Sequence, residues 1–168
     1  MSNKPQVTVV GGGMITHDQI LPSLYQLQRV GRIGDITVCA SRRQTVEALA
    51  KADSIARAFP GHSFRAFPEA GDSAKAQPEL YRSVIERMLP RQIVIAAVPD
   101  QLHYDVIMAA LRHDQHVCAV KPLVLQHAQA VEIEREAFKR GLVVGIEYHK
   151  RFDDRSRIRR VSFDLERA

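Results

Sequence analysis

The stretch VTVVGGGMIT, from Val7 to Thr16, decides the fold. Four residues that favour strands are followed directly by three glycines, and a helical pattern then begins at Thr16. A backbone without side chains is useful here for two reasons: the turn has to be tight, or the chain has to lie against a ligand such as a phosphate group. Both explanations remain open at this point.

The rest of the chain repeats this order of strand and helix. Apolar segments typical of buried strands are QVTVV, ITVCA, SFRAF, QIVIAAV, HVCAV and LVVGIEY. Helical spacing predicts helices at 16–30 (kinked at Pro22 or beginning later), 42–59, 78–88, 99–114 and 125–140, the last closed by Gly141 as a C-cap. The alternation predicts an α/β fold with a doubly wound parallel sheet, Rossmann-like, with its ligand site where the strand order reverses.

Composition limits the classes of function. The 168 residues suit one domain, and no apolar run is long enough to span a bilayer. The N-terminus has no hydrophobic signal core, so we expect a cytoplasmic protein without a membrane partner. Of the net charge of +5, a surplus of three lies in residues 150–168. A basic tail is compatible with nucleic acid, but an exposed polar end explains it, and we expect no nucleic-acid partner.

Cys39 and Cys118 lie in the second and fifth predicted strands. These strands are not neighbours in a doubly wound sheet, so we expect two separate free thiols in a reducing compartment. Nothing in their surroundings predicts a metal site.

The glycines match part of the dinucleotide fingerprint. Gly11 would allow the tight turn, and Gly13 would let the backbone approach a pyrophosphate at the start of the helix. Thr16 stands where the third glycine normally permits close packing of helix on strand. The partial match favours nucleotide binding over a purely structural turn.

The second strand ends without the acidic residue that normally binds the ribose hydroxyls. Ser41, Arg42 and Arg43 stand there instead. Guanidinium groups pair well with a 2′-phosphate, which favours NADP, with NAD as the alternative. A solvated basic helix start is the alternative explanation, and it is the less favoured one because cations there oppose the helix dipole.

Polar residues also follow the fourth and fifth strands. Asp100 is a candidate N-cap for the next helix, and His103 lies in its first turn, where a structural and a functional role are equally plausible. Lys121 follows a buried strand and precedes Pro122. A lysine at the carboxyl end of a strand favours a functional role over one that simply extends to solvent.

Together these segments resemble the glucose–fructose oxidoreductase / inositol dehydrogenase (Gfo/Idh/MocA) family. The resemblance runs from VTVVGGGMI through AVPDQLHYDVIMAAL and HVCAVKPL to GLVVGIEYHKRFDDRS. The family's Glu-Lys-Pro motif matches Val120-Lys121-Pro122, with valine in place of the glutamate. The resemblance implies an NAD(P)-dependent oxidoreductase that transfers hydride to or from a sugar, polyol or related hydroxyl or carbonyl compound.

The resemblance also implies roles for single residues. Gly11, Gly13, Met14 and Ile15 would line the cofactor phosphates, and Ser41, Arg42 and Arg43 would reach the adenosine ribose. Pro99, Gln101 and His103 would pass near the cofactor, and Lys121 would lie by the nicotinamide as a catalytic residue. His149 is a weaker catalytic candidate, at the junction with a second domain.

Residues 1–149 are expected to form the NAD(P)-binding domain and residues 150–168 the truncated start of a linker to a C-terminal substrate domain. The family's catalytic histidine and aspartate come from that second domain, so we expect cofactor binding with little turnover. A non-catalytic dinucleotide-binding module is the alternative. A methyltransferase ranks lower because it needs an acid after the second strand, and a short-chain dehydrogenase because YHKRF does not contain Tyr-x-x-x-Lys. Apolar surface left on the sixth-strand side predicts self-association.

Overall fold

A computed structural model describes residues 4–72 and 75–148. Its sheet contains six parallel strands, β1 Val7–Val10, β2 Ile36–Cys39, β3 Arg65–Phe67, β4 Ile93–Ala96, β5 His116–Val120 and β6 Val144–Glu147. The strand order is β3-β2-β1-β4-β5-β6. This order confirms the predicted doubly wound sheet, with β1 and β4 adjacent where the order reverses.

Six helices connect the strands: α1 Leu21–Arg29, α2 Arg43–Ala50, α3 Asp53–Ala58, α4 Leu80–Glu86, α5 His103–Arg112 and α6 His127–Arg140. Their apolar sides form one core on each face of the sheet. Val84, Ile107 and Ile133 from α4, α5 and α6 lie in one core, and Leu24 and Val46 from α1 and α2 lie in the other. The sheet is therefore covered on both faces, as near-continuous apolar strands require.

Two predicted helices differ in detail. The segment 16–30 begins with a π-helical turn, Thr16–Ile20, and continues as α1, with Pro22 in the first turn of α1 where a proline is tolerated. The segment 42–59 is two helices rather than one, because Ala52 takes an extended conformation between α2 and α3. No glycine or proline marks that break, so the amphipathic pattern runs through it undisturbed.

The ends of two other helices are corrected as well. Asp100 is not an N-cap: it begins a 3₁₀ turn, Asp100–Leu102, and its side chain makes no capping hydrogen bond. The helix predicted from Pro78 begins at Leu80. Gly141 is confirmed as the C-cap of α6, with φ of +61° in the left-handed region.

The described residues leave apolar side chains uncovered around β6. Phe138 is 88% exposed, Val143 66% and Ile146 38%. A groove of about 560 Å³ lies nearby, between α1 and the face of β4, β5 and β6, with Leu27, Ile95, Cys118 and Val120 among its lining residues. No helix of the described ranges has both the length and the apolar character needed to cross a bilayer.

Candidate functional site

The turn after β1 is built around Gly11. Its φ is +116°, and a Cβ added there would lie 2.0 Å from the carbonyl oxygen of Ala97, at the end of β4. The Gly11 amide donates to the carbonyl of Cys39 on β2 at 2.7 Å. Only glycine fits this position, because the backbone of one strand end lies against that of its neighbour. Tight turning is therefore the role of Gly11.

The next residues present a bare backbone to solvent. A Cβ added to Gly13 would meet no atom within 4 Å. Within residues 4–72 and 75–148, the amides of Gly12, Gly13 and Met14 donate no hydrogen bond to the protein. Unused amides at a helix start form an anion-binding site. Gly13, unlike Gly11, therefore leaves space for a ligand.

Thr16 occupies the place of the missing third glycine and is fully buried. Its hydroxyl donates to the carbonyl of Gly11 at 2.8 Å. The threonine thus packs between helix and strand with its polar atom satisfied, and it stabilises the glycine turn from within. The departure from the fingerprint does not open the turn.

A cleft of about 580 Å³ lies at the carboxyl ends of β1, β2 and β4. Its lining includes the predicted residues Gly11, Gly13, Met14, Ile15, Ser41 and Pro99, together with Thr45, Gln77, Pro78, Tyr81, Val98, Leu102 and Val106. The glycine turn forms one wall, and apolar side chains form much of the rest. A bare backbone edge beside an apolar recess is chemically suited to the phosphate group and the base of a nucleotide.

Gln77 and Tyr81 were not predicted as site residues. The backbone amide of Gln77 donates to the backbone carbonyl of Ser41 at 2.7 Å and so brings the loop before α4 against the end of β2. Tyr81 is 7% exposed, and burial raises its pKa. It lies in the first turn of α4 and lines the same cleft, and no motif in the sequence predicts it there.

The two arginines after Ser41 have different surroundings. One guanidinium nitrogen of Arg43, Nη1, donates to the carbonyls of Ala70 and Asp72, both at 2.9 Å, and Nε lies 3.2 Å from Glu47. Arg42 is exposed, and its guanidinium makes no hydrogen bond or ion pair with the described residues, although its backbone carbonyl accepts from the amide of Thr45 at 3.1 Å. Arg43 therefore holds the loop before α4, and Arg42 is the guanidinium available to a ligand.

His103 and Gln101 are not among the residues that line the cleft. Gln101 is exposed in the 3₁₀ turn, whereas His103 is fully buried at the start of α5. The ring of His103 contacts three backbone carbonyls, those of Val98, Pro122 and Leu123. These contacts give His103 a structural role, and contact with a cofactor stays a prediction.

Lys121 follows β5 at the same edge of the sheet and is exposed. It does not line the cleft, although Val98 and Pro99, which do, continue the neighbouring strand. Val120, in the place of the motif's glutamate, pairs in register with Glu147 of β6. A carboxylate thus stands on the adjacent strand. His149 lies outside the described residues.

The cysteines occupy β2 and β5, with β1 and β4 between them, which confirms the expected separation. Burial raises the pKa of the Cys39 thiol to about 12. The pKa of Cys118, which is half-buried, is raised by burial and by the charge of Glu147. Both shifts disfavour the thiolate, which is the nucleophilic form of cysteine.

The comparison with protein families decides the membership of the chain. Residues 6–148 match the model of GFO_IDH_MocA, the oxidoreductase family with an NAD-binding Rossmann fold. The chain belongs to this family. The predicted resemblance to the Gfo/Idh/MocA family is therefore confirmed.

Two curated relatives from Bacillus subtilis (strain 168) are similar over part of the chain. An uncharacterized oxidoreductase, YfiI, is 33% identical over 81 residues, which is 46% of this chain and 20% of that protein. The scyllo-inositol 2-dehydrogenase (NADP(+)) IolW is 27% identical over 63 residues, or 38% of this chain and 18% of that protein.

Solved structures share the fold. KijD10, a 3-ketoreductase from Actinomadura kijaniata in complex with NADP, superposes with a TM-score of 0.66 at 22% identity over 98% of this chain and 44% of its own. Biliverdin reductase from Synechocystis sp. PCC 6803, in complex with biliverdin and NADP+, superposes with a TM-score of 0.59 at 20% identity. The match covers 84% of this chain and 37% of the reductase. The chain thus spans less than half the length of these proteins.

Proposed function

We propose that this chain is the cofactor-binding part of an NADP-dependent oxidoreductase that transfers hydride to or from a sugar, polyol or related hydroxyl or carbonyl compound. The observation that carries the proposal is the set of unused amides at Gly12, Gly13 and Met14 beside an apolar cleft. The cofactor domain in this proposal is residues 1–149, and the linker expected at residues 150–168 lies outside the described residues.

The pyrophosphate binds at the glycine turn. Amides of Gly13 and Met14 donate to its oxygens, and the absence of a Cβ at Gly13 permits the close approach. Tyr81 and Val98, in the apolar part of the cleft, would hold the adenine. Gly11 contributes only the turn, since its amide already donates to Cys39.

The preference for NADP over NAD rests on the end of β2. Ser41 lines the cleft, and Arg42 beside it is exposed, with no partner for its guanidinium in the described part of the chain. An exposed guanidinium with no carboxylate competitor suits a 2′-phosphate. Arg43 supports this site indirectly, because it holds the loop that carries Gln77.

The bound cofactor supplies the hydride, and the chain supplies charge at the reacting oxygen. Lys121 stands at the carboxyl end of β5, next to the strand whose end lines the cleft. An ammonium there stabilises negative charge that develops on a carbonyl oxygen as it is reduced. A polyol or carbonyl substrate is supported by the scyllo-inositol 2-dehydrogenase and the 3-ketoreductase among the similar proteins.

A matched pair of glycine variants tests the site. Gly13→Ala and Gly145→Ala each add a Cβ that meets no atom within 4 Å, and neither residue has a positive φ. Gly145 lies in β6, away from the cleft. We expect Gly13→Ala to weaken NADPH binding by about tenfold or more, because the new methyl group meets the pyrophosphate, and Gly145→Ala to bind as the unaltered chain does. Equal affinities in a fluorescence titration would exclude the glycine turn as the phosphate site.

A non-catalytic dinucleotide-binding module remains the second candidate, and the valine at position 120 favours it. The two functions differ in turnover once the nucleotide is bound. We expect the 168-residue chain to bind NADPH with little oxidation of it in the presence of keto-sugars. Robust turnover by this chain would contradict that expectation, and it would also exclude a non-catalytic dinucleotide-binding module.

A further inference from the structure

His103 joins two loops at the ligand edge of the sheet. It is fully buried and begins α5. Its Nε2 lies 3.0 Å from the carbonyl oxygen of Val98, which lines the cleft. Its Nδ1 lies 2.6 Å from the carbonyl oxygen of Pro122 and 3.2 Å from that of Leu123. One side chain thus touches the cofactor cleft and the loop that carries Lys121.

The loop after β5 depends on this contact for its polar interactions. In the described part of the chain, the hydrogen bonds recorded for residues 122–125 are those with His103. Leu123 and Val124 add apolar contacts with the core, but such contacts are not directional. The carbonyl of Pro122 is therefore oriented by His103, and Lys121 directly precedes that proline.

The protonation of the ring decides which contact is a hydrogen bond. Carbonyl oxygens only accept, and a neutral imidazole donates from one of its two nitrogens. The shorter contact, 2.6 Å from Nδ1 to Pro122, is the better placed for the proton. With that proton on Nδ1 of a neutral ring, Nε2 has no proton to donate to the carbonyl of Val98.

We propose that His103 is a positioning residue: its Nδ1–H donates to the carbonyl of Pro122 and thereby fixes Lys121 relative to the cleft. The proposal rests on the cofactor site inferred above. It explains why a fully buried histidine stands at the start of α5, where an apolar residue would fill the same space without an unmatched polar atom.

Substitution of His103 by asparagine or by glutamine tests the roles of its two ring nitrogens one at a time. The amide nitrogen of asparagine lies at about the distance of Nδ1 from the backbone, and that of glutamine at about the distance of Nε2. His103→Asn therefore retains a donor towards Pro122, whereas His103→Gln retains one towards Val98. Both replacements are polar and smaller than or similar to histidine, so each controls for the other's loss of packing.

The position of the loop is measured first, without cofactor. In ¹H–¹⁵N correlation spectra we expect the amide signals of Lys121, Leu123 and Val124 to stay near their original positions in His103→Asn and to move in His103→Gln. The reverse pattern, or equal displacement in both variants, overturns the proposal. If neither variant folds, the tautomer of His103 in the unaltered chain decides: long-range ¹H–¹⁵N correlations should show the proton on Nδ1, and protonation on Nε2 alone overturns it.

NADPH titrations then test whether the effect passes through the lysine. We expect His103→Asn to bind within about twofold of the unaltered chain and His103→Gln about fivefold more weakly, the size of one hydrogen bond. In a Lys121→Ala background the difference between the two variants should vanish, because the coupled residue is gone. If the two His103 variants still differ in NADPH affinity in the Lys121→Ala background, His103 affects binding through the fold alone. That result overturns the proposal.

These readouts separate the two inferences. If the unaltered chain binds no NADPH while the loop signals follow the expected pattern, the proposed function fails and the hydrogen bond from His103 to Pro122 stands. If NADPH binds and the loop signals do not distinguish the variants, the cofactor site stands and the role of His103 is wrong.

Discussion

The hydroxyl of Thr16 donates a 2.8 Å hydrogen bond to the carbonyl of Gly11, from the position where the dinucleotide fingerprint has a third glycine. Thr16 is fully buried at the start of the π-helical turn. The turn after β1 is thus stabilised by the hydrogen bond from Thr16, at the position where the fingerprint has a glycine that packs closely against the strand.

Removing this hydroxyl should destabilise the protein. We expect Thr16→Val to lower the free energy of unfolding by about 1–2 kcal/mol, because the carbonyl of Gly11 loses its donor at nearly constant side-chain volume. Thr8→Val is the control, since Thr8 is also buried and its hydroxyl makes no recorded hydrogen bond with the described residues. Equal urea midpoints for the two variants would show that the hydrogen bond does not stabilise the turn.

Substitutions of Arg42 and Arg43 should have different effects on cofactor binding. Arg42→Ala is expected to weaken NADPH binding roughly tenfold or more and to leave NADH binding unchanged, because a charge-assisted hydrogen bond to the 2′-phosphate is lost. Arg43→Ala removes the donor to Ala70 and Asp72, so it should lower stability and affect both nucleotides alike. Parallel calorimetric titrations measure this. If Arg43→Ala alone changed the preference for NADPH, the assignment of the two arginines would be reversed.

The buried thiol of Cys39 predicts a loss of stability in alkali. Its pKa in the folded protein is about 12, against an ordinary value of 9.0 for an exposed thiol. The folded state therefore keeps the proton while the unfolded chain releases it, so stability is fully present below pH 9 and falls as the pH rises towards 12. Urea unfolding at intervals between pH 8 and 11 should show a shallower decline in Cys39→Ala. Parallel declines in the two proteins would mean that Cys39 ionises as freely in the fold as outside it.

The uncovered surface near β6 should cause self-association of the 168-residue chain. Val143 is 66% exposed and Phe138 88%. We expect Val143→Lys to reduce the apparent mass in light scattering at high concentration, because a charge in an apolar contact opposes its burial. Leu89→Lys, at an exposed apolar residue in the turn after α4, should have no such effect. A monodisperse monomer before any substitution would refute the expectation.

The sequence predicted the sheet well because its strands are short apolar runs between clear breaks. Each of the six strands and their order followed from the alternation with helices. The break between α2 and α3 could not be predicted, since Ala52 adopts an extended conformation in an unbroken amphipathic pattern. Local preference carries no signal for a bend that tertiary packing imposes.

The site was predictable only where backbone chemistry determines it. Gly11 and Gly13 could be assigned from their place after a buried strand, whereas Gln77 and Tyr81 come from a loop and helix with no motif. The different roles of Arg42 and Arg43 depend on the loop at Ala70 and Asp72, nearly thirty residues away, which no local pattern reveals. The same holds for His103, whose partners lie after another strand.

The binding of NADPH at the glycine turn is the central claim, and amide chemical shifts measured during a titration test it most directly. We expect the amide signals of Gly12, Gly13 and Met14 to move most as NADPH is added to the ¹⁵N-labelled chain, together with that of Ser41. The polar cavity of about 670 Å³ at the opposite edge of the sheet, near Gly61 and His62, serves as the internal comparison. Unchanged signals at the glycine turn, with shifts confined to residues 61–65 or absent throughout, would contradict the account.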